Sequence, residues 1–208
     1  MFALVNKSDN SITKSYSGST GITIGENQYP QTIFTLWSEA ERNAIDIYTI
    51  EIDESKRKSE EWYINTNITY AFDGSKVTGS YGDATAKAHA DTKWIQSEID
   101  AGDAPEGADT DTVKEEGLKT VLIREVKEQA QNELNITDWY VTRKSEEDIA
   151  IPSTITTHRK AVRAKQAEME TAITNASDTP ALETLYTYTS QEDGSLTRPL
   201  GELPILED

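Results

Sequence analysis

Apolar residues in the first eighty positions alternate or come in short runs, whereas beyond Thr112 they recur every three, four or seven residues. That change of period predicts a β-rich N-terminal part followed by helices. Ala3 to Val5, Ser11 to Lys14 and Ile22 to Ile24 read as short strands, separated by Asp9-Asn10 and by a turn cluster of Gly18, Ser19 and Gly21. Ser38 followed by Glu39, Glu41 and Arg42 predicts one short helix within Thr35 to Ala44. The hydroxyl can accept from an orphan amide there, and carboxylates suit the positive end of the helix dipole. After it, Tyr48, Ile50 and Ile52 alternate onto one face of a half-buried strand, with Thr49 and Glu51 on the other. Asp73-Gly74, flanked by Trp62 to Phe72 and Lys76 to Tyr81, predicts a hairpin whose connection Ser75 can lengthen by one residue.

Ala84, Ala86, Ala88 and Ala90 alternate before Trp94 and Ile95, a pattern open to a weak helix or an extended edge, and Asp100 to Thr112 reads as an acidic exposed linker. Leu118, Leu122, Val126, Ala130 and Leu134 then form the stripe of an amphipathic helix. A second helix follows Ile151-Pro152, where Ser153 can cap. Its Ile155, Val162, Met169 and Ile173 are spaced to pack against the first, with His158, Lys165 and Gln166 as polar interruptions of the seam. Thr179-Pro180 opens a third, shorter helix carrying Leu182, Leu185 and Tyr186. From Ser190 onward Gly194, Pro199, Gly201 and Pro204 break any helix, leaving an arm that is docked or recruited. The expected class is α+β. A β-rich module spans 1–82, a linker 83–112, a helical hairpin module with a short third helix 113–189, and an acidic extended arm 190–208.

Composition narrows what such a chain can do. With 20 basic and 37 acidic side chains its formal charge is −17, which repels nucleic acid and anionic membranes. Cysteine is absent, so disulfides, thiolate metal sites and thiol nucleophiles are excluded. The opening Met-Phe-Ala-Leu-Val lacks the basic start of a secretory leader, and no apolar run approaches the ~20 residues of a membrane span. A hydrophobic fraction of 36% predicts a thin core, helped by a partner. Only His89 and His158 are available as imidazole ligands, and the acidic stretch lacks the ligand spacing of a calcium loop. Gly18-Ser19-Thr20-Gly21 has no following Lys-Ser or Lys-Thr for phosphate, and no Gly-x-Ser-x-Gly elbow occurs. No catalytic residue, cofactor or metal site is therefore expected.

The aromatic residues Trp62, Tyr63, Tyr70, Phe72 and Tyr81 gather around the hairpin, as core of the first module by default or as an exposed contact patch. Trp139 and Tyr140 lie between the two strong helices, where a bulky ring can close a helix corner and Asp138 can cap the turn.

Thr137-Asp138-Trp139-Tyr140-Val141-Thr142-Arg143-Lys144, then Ile151-Pro152, then His158-Arg159-Lys160-Ala161-Val162-Arg163, resembles bacteriophage tail-fibre assembly proteins, also called tail assembly chaperones. The resemblance covers roughly Val113 to Ile173 and departs from the family at His158, where an aromatic is usual, and at Val162, where leucine is common. It implies a non-enzymatic protein of the virion tail, or of the host cytoplasm during assembly, that binds a tail fibre or baseplate protein and can self-associate. It implies a corner of Asp138, Trp139, Tyr140 and Pro152, with Trp139 wedged between the helices. Arg159 and Arg163 would pair with acids of the protein or of its partner. Trp62, Tyr70, Phe72, Tyr81, Leu203 and Ile205 complete the expected partner contacts. A permanent structural role in the tail or baseplate is the alternative. A tail-borne glycan hydrolase would need two converging carboxylates that the sequence does not single out.

Overall fold

Strand β1 (Phe2–Asn6) buries Ala3 and Val5 on one side and turns Phe2 and Leu4 to the other, because successive side chains of a strand face opposite ways. The computed structural model to which it belongs describes residues 1–206 and is α+β, with the strand-rich part first. It divides into two compact units, Met1–Thr85 and the chain from Ala86 on.

The first unit contains β2 (Ser11–Tyr16), β3 (Ile22–Ile24), β4 (Asn27–Tyr29), α1 (Glu39–Asn43), β5 (Ile47–Asp53), β6 (Tyr63–Ile64), β7 (Thr69–Phe72) and β8 (Val77–Ser80). Five of these strands form one sheet in the order β2-β1-β5-β8-β7, antiparallel except for the parallel pair β5–β8. The sheet curls until its edge strands β2 and β7 approach each other. Its concave side then covers itself, with Ala3, Val5, Tyr48, Ile50, Phe72 and Val77 inside and Ile12 and Tyr70 beside them. Gly79 leaves room for this closure, since a Cβ there would stand 2.9 Å from each of Ile52 Cδ1, Ile68 Cγ2 and Tyr70 Cε1.

Residues Ile22, Ile33 and Phe34, from the β3–β4 hairpin and a 3₁₀ turn at Gln31–Phe34, cover the convex side over Ile47, Phe2 and Leu4. Strand β5 is thus buried on both faces where it begins, not on one. Tyr48 and Ile50 share a face as expected, Ile47 fills the other, and Ile52 at the open end is 40% exposed. Helix α1 starts at the expected cap. Ser38 Oγ accepts from the Glu41 N–H while Glu41 Oε2 accepts from the Ser38 N–H at 2.7 Å, a reciprocal capping box.

The hairpin forms with a longer loop and a shorter first strand than the pattern suggests. Phe72 faces Val77, residues 73–76 make the connection, and Trp62 lies outside the paired segment. Asp73 explains the shift, because its Oδ1 accepts from the N–H of Ser75, the N–H of Lys76 and the hydroxyl of Ser75, at 2.8, 2.9 and 2.7 Å. An Asx-type loop therefore replaces a two-residue turn.

In the second unit the expected linker carries structure of its own. After β9 (Thr85–Ala86), strand β10 (Thr92–Lys93) pairs antiparallel with β11 (Val113–Glu115), and α2 (Gln96–Ala101) lies between them. Of the alternating alanines Ala86 lies in β9 and Ala90 in a bend, and residues 88–91 cap the helix α3 (Leu118–Asn135). Gly117, at the N-cap, has no side chain to offer. The Asp91 carboxylate accepts its N–H at 2.7 Å, and the carbonyls of Ala88 and His89 accept those of Leu118 and Lys119. The Thr120 hydroxyl and this Gly117 amide hold the Asp91 carboxyl below the usual range. The backbone of Ala90 occupies the place a Gly117 Cβ would take.

Helices α4 (Asp138–Glu147), α5 (Ser153–Asn175) and α6 (Thr179–Tyr186) follow, then the two-residue strands β12 (Thr189–Ser190) and β13 (Leu196–Thr197), which pair with each other. Helices α3 and α5 run antiparallel: Lys119 Nζ reaches the Thr174 carbonyl near one end and His158 lies beside Glu133 near the other. Their buried side chains are the expected stripes, Leu122, Val126, Ala130 and Leu134 against Ile155, Val162, Met169 and Ile173. Pro152, not Ser153, is the N-cap of α5, and Ser153 makes no capping bond. Asp178 caps α6 through the Ala181 N–H. Glu207 and Asp208, the last two residues of the expected arm, lie outside the described residues.

The Asp73 loop gives a pH signature. Its carboxyl is drawn down from 3.8 to about 2, first by the Lys76 amide, then by the Ser75 hydroxyl and amide. A carboxyl with a depressed folded pKa stabilises the native state above its unfolded value and loses that contribution as pH falls through the folded one. An NMR titration is expected to place the Asp73 midpoint near 2. In Asp73→Asn, the Ser75 and Lys76 amides should exchange at a rate, corrected for intrinsic chemistry, that no longer changes between pH of about 4 and about 2.

Candidate functional site

Helix α3 ends at Asn135 with Ile136 as its C-cap, and the chain turns through Thr137 into α4. A turn there leaves carbonyls of α3 without helical partners. Arg159 of α5 meets them. Its Nη1 donates to the Leu134 carbonyl and the Thr137 hydroxyl, both at 2.7 Å, and lies 2.8 Å from Asp138 Oδ1. The Thr137 hydroxyl also donates to the Leu134 carbonyl at 3.0 Å. Thr137 and Arg159 are both buried, while Asp138 keeps one side toward solvent. A cation at the negative end of α3, beside a carboxylate and two neutral acceptors, satisfies a group that would be expensive to bury alone.

The corner is therefore closed by an arginine, not by the tryptophan wedge expected from the resemblance. Trp139 is 51% exposed. Asp138 is the first residue of α4 and is turned toward Arg159, which places Trp139, one residue on, about 100° around the helix and away from α5. Its ring lies against Tyr140, with centroids 3.8 Å apart and planes tilted by 34°, and the Arg143 guanidinium lies over both rings, 4.6 and 5.4 Å from their centroids. The expected cap at Asp138 is likewise replaced by an ion pair, and Thr137 occupies the N-cap position without a capping bond. Helix α4 itself, fully buried at none of its residues, extends into a stretch where only a corner was expected. Ile136, Val141 and Ile149 are exposed on or beside it.

His158 is buried in the seam that it interrupts; its Nε2 stands 3.1 Å from Glu133 Oε1, off the line of a hydrogen bond. Arg163 is exposed, with Nη1 3.5 Å from the Arg159 carbonyl. It borders an open groove of about 590 Å³ along α5, lined also by Gln166, Ala167, Glu170 and Thr171. That groove is open and walled by one helix, unlike the clefts that enclose small molecules.

Of the remaining expected contacts, Trp62 and Phe72 are buried inside the first unit, Tyr70 packs against its inner cluster, and Tyr81 is half-buried beneath the Arg57 guanidinium. The aromatic set there is core, because a curled sheet of this size needs its largest side chains inside. Leu203 packs on Ala130, Leu134 and Val162, and Ile205 is 75% exposed. The structure thus brings together Asp138 with Arg159 and Trp139 with Tyr140. Sequence reasoning missed Thr137, Arg143, Glu133 and the burial of His158. The available signal was that His158 and Arg159 fall between Ile155 and Val162 on a stripe that is otherwise apolar.

Among the described residues, no group of three or more His, Asp or Glu is arranged to hold a metal ion, and no helix is long and apolar enough to cross a membrane. The two roles at the corner separate by mutation. Arg159→Met, which keeps the stem and removes the charge, should cost about 2–4 kcal/mol in urea unfolding of the second unit, because it strands buried acceptors. Trp139→Ala should cost under about 1 kcal/mol, since the ring is exposed. No family model matches the chain, and comparison with curated proteins and with solved structures finds no match.

Proposed function

We propose that the chain is a non-enzymatic bacteriophage tail-associated protein that binds a tail fibre or another tail component during assembly, as a chaperone or adaptor, through the exposed face of α4. The observation that carries this reading is the stack of Trp139, Tyr140 and Arg143 on a helix whose start is anchored by Arg159. Trp, Tyr and Arg are the residue types that dominate binding energy at protein interfaces. Here they are held in one arrangement before any partner arrives, which lowers the ordering cost of association. The neighbouring exposed Ile136, Val141 and Ile149 extend the apolar surface around them. The tail assignment itself rests on the resemblance over roughly Val113 to Ile173; the Trp139 wedge that it implies is not what closes the corner.

Co-expression with the neighbouring tail protein, followed by size-exclusion chromatography, tests the proposal. Co-elution is expected, and Trp139→Ala should weaken the complex at least about tenfold, or about 1.4 kcal/mol, with circular dichroism unchanged. A strictly monomeric species that elutes without any fibre or baseplate component overturns it. Mass spectrometry of purified particles then separates a transient chaperone, absent from them, from a permanent structural component present in stoichiometric amount.

A further inference from the structure

Arg143 is the exception among the arginines. Arg57, Arg124, Arg159 and Arg198 each hold a guanidinium nitrogen within 3.3 Å of a carboxylate oxygen, and Arg42 and Arg163 reach backbone carbonyls. Among the described residues Arg143 has neither an ion pair nor a hydrogen bond, and its Nε is buried without an acceptor. Acids are not scarce. The chain carries 37 of them, and Glu146 and Glu147 stand three and four residues further along α4, spacings that suit an ion pair on a helix surface. Lys144, the next residue, uses its own carboxylate at that distance, Asp148. The Arg143 guanidinium turns back instead, over Trp139 and Tyr140.

Aromatic faces attract a guanidinium through their negative potential but offer its N–H groups no acceptor. The two rings therefore hold the cation in place and leave its donors unfilled. The planar group that fits those donors is a carboxylate, which takes two parallel N–H bonds from one guanidinium. A phosphate would bring a second negative charge, with Glu146 and Glu147 only a helical turn away, inside the ~8 Å over which charges still interact at physiological salt. A carboxylate neutralises the guanidinium and adds no more. The exposed part of the Trp139 ring gives an apolar side chain beside that carboxylate a surface to lie on.

We propose that Arg143 receives an aspartate or glutamate side chain of the partner polypeptide, with a neighbouring apolar residue of the same segment lying on Trp139. This chemistry is assigned on the reading that the exposed face of α4 binds a partner. The net charge of −17 does not forbid an acidic segment, because acids farther off than the screening length act weakly on it while the guanidinium touches it.

The test uses the full chain and two peptides, acetyl-Leu-Glu-Leu-amide and acetyl-Leu-Gln-Leu-amide, with the Arg143 Nε–H and Trp139 indole N–H signals followed by NMR. The Glu peptide should move both signals and bind at least about tenfold more tightly than the Gln peptide. That preference should shrink between about 0.05 M and about 0.5 M salt. Arg143→Gln should lose the preference with circular dichroism unchanged, and Arg143→Lys, which keeps the charge without the fork, should retain only part of it. Equal affinities for the two peptides, a preference that survives in both variants, or no shift with either peptide overturns the proposal. Tighter binding of inorganic phosphate than of the Glu peptide also overturns it, by assigning the site to a phosphoryl group. A tail complex that Trp139→Ala weakens and Arg143→Gln does not removes the acid site alone. A clear preference for the Glu peptide without any tail complex upholds the acid site and removes the phage assignment alone.

Discussion

One buried guanidinium fixes the geometry of the helical unit. Arg159 gathers the Leu134 carbonyl, the Thr137 hydroxyl and the Asp138 carboxylate around a single nitrogen. Each comes from a different piece of backbone: the last turn of α3, the connecting residue, and the first turn of α4. Burying that charge is favourable only while all three acceptors are present, so the end of one helix, the start of the next and the register of α5 are set together. The apolar stripes of α3 and α5 supply most of the attraction between those helices, but stripes alone tolerate sliding by a turn. A cation that must meet three acceptors does not.

In the β-rich unit the equivalent constraint is closure. A chain with 36% hydrophobic residues has little apolar material for a second covering layer. Curling the sheet lets Ala3, Val5, Tyr48, Ile50, Phe72 and Val77 cover one another, while a short hairpin and a 3₁₀ turn suffice for the other face. This accounts for the burial of aromatics that composition alone left open to a surface role. It also accounts for Gly79, at a position where the concave side has no room for a methyl group beside Ile52, Ile68 and Tyr70.

Features governed by neighbours in sequence were legible. The Ser38 cap, the four-residue stripe of α3, the Thr179-Pro180 start of α6 and the strand at Ala3 to Val5 all follow from contacts within a few residues, and the structure has each of them. Features set by distant partners were not. Residues 88–91 read as weak helix or extended edge until the carbonyls of Ala88 and His89 and the Asp91 carboxylate are seen to meet the first amides of α3, and nothing local announces that role. Trp139 misleads for a related reason. Its size suggests burial, but its direction is decided by the residue before it, which Arg159, 21 positions further along the chain, draws toward α5. At the hairpin, Asp73 is read easily as a turn residue, yet its three accepted hydrogen bonds, not its pairing with Gly74, choose the loop length.

Leu134 ties the helix corner and the seat of the C-terminal arm together. Its carbonyl accepts from Arg159, which anchors the start of α4 and so the direction of the Trp139 stack, while its side chain forms part of the floor beneath Leu203. Glu133, one residue earlier, receives the end of the arm and stands against His158, the residue before Arg159. The exposed aromatic face and the seat of the arm are therefore referred to the same turn of α3 and the same turn of α5. Moving the start of α4 relative to that floor means breaking the arginine cluster. Loss of the Trp139 ring, by contrast, leaves that cluster whole. The helical unit thereby separates a buried polar cluster that sets geometry from the exposed Trp139 ring beside it.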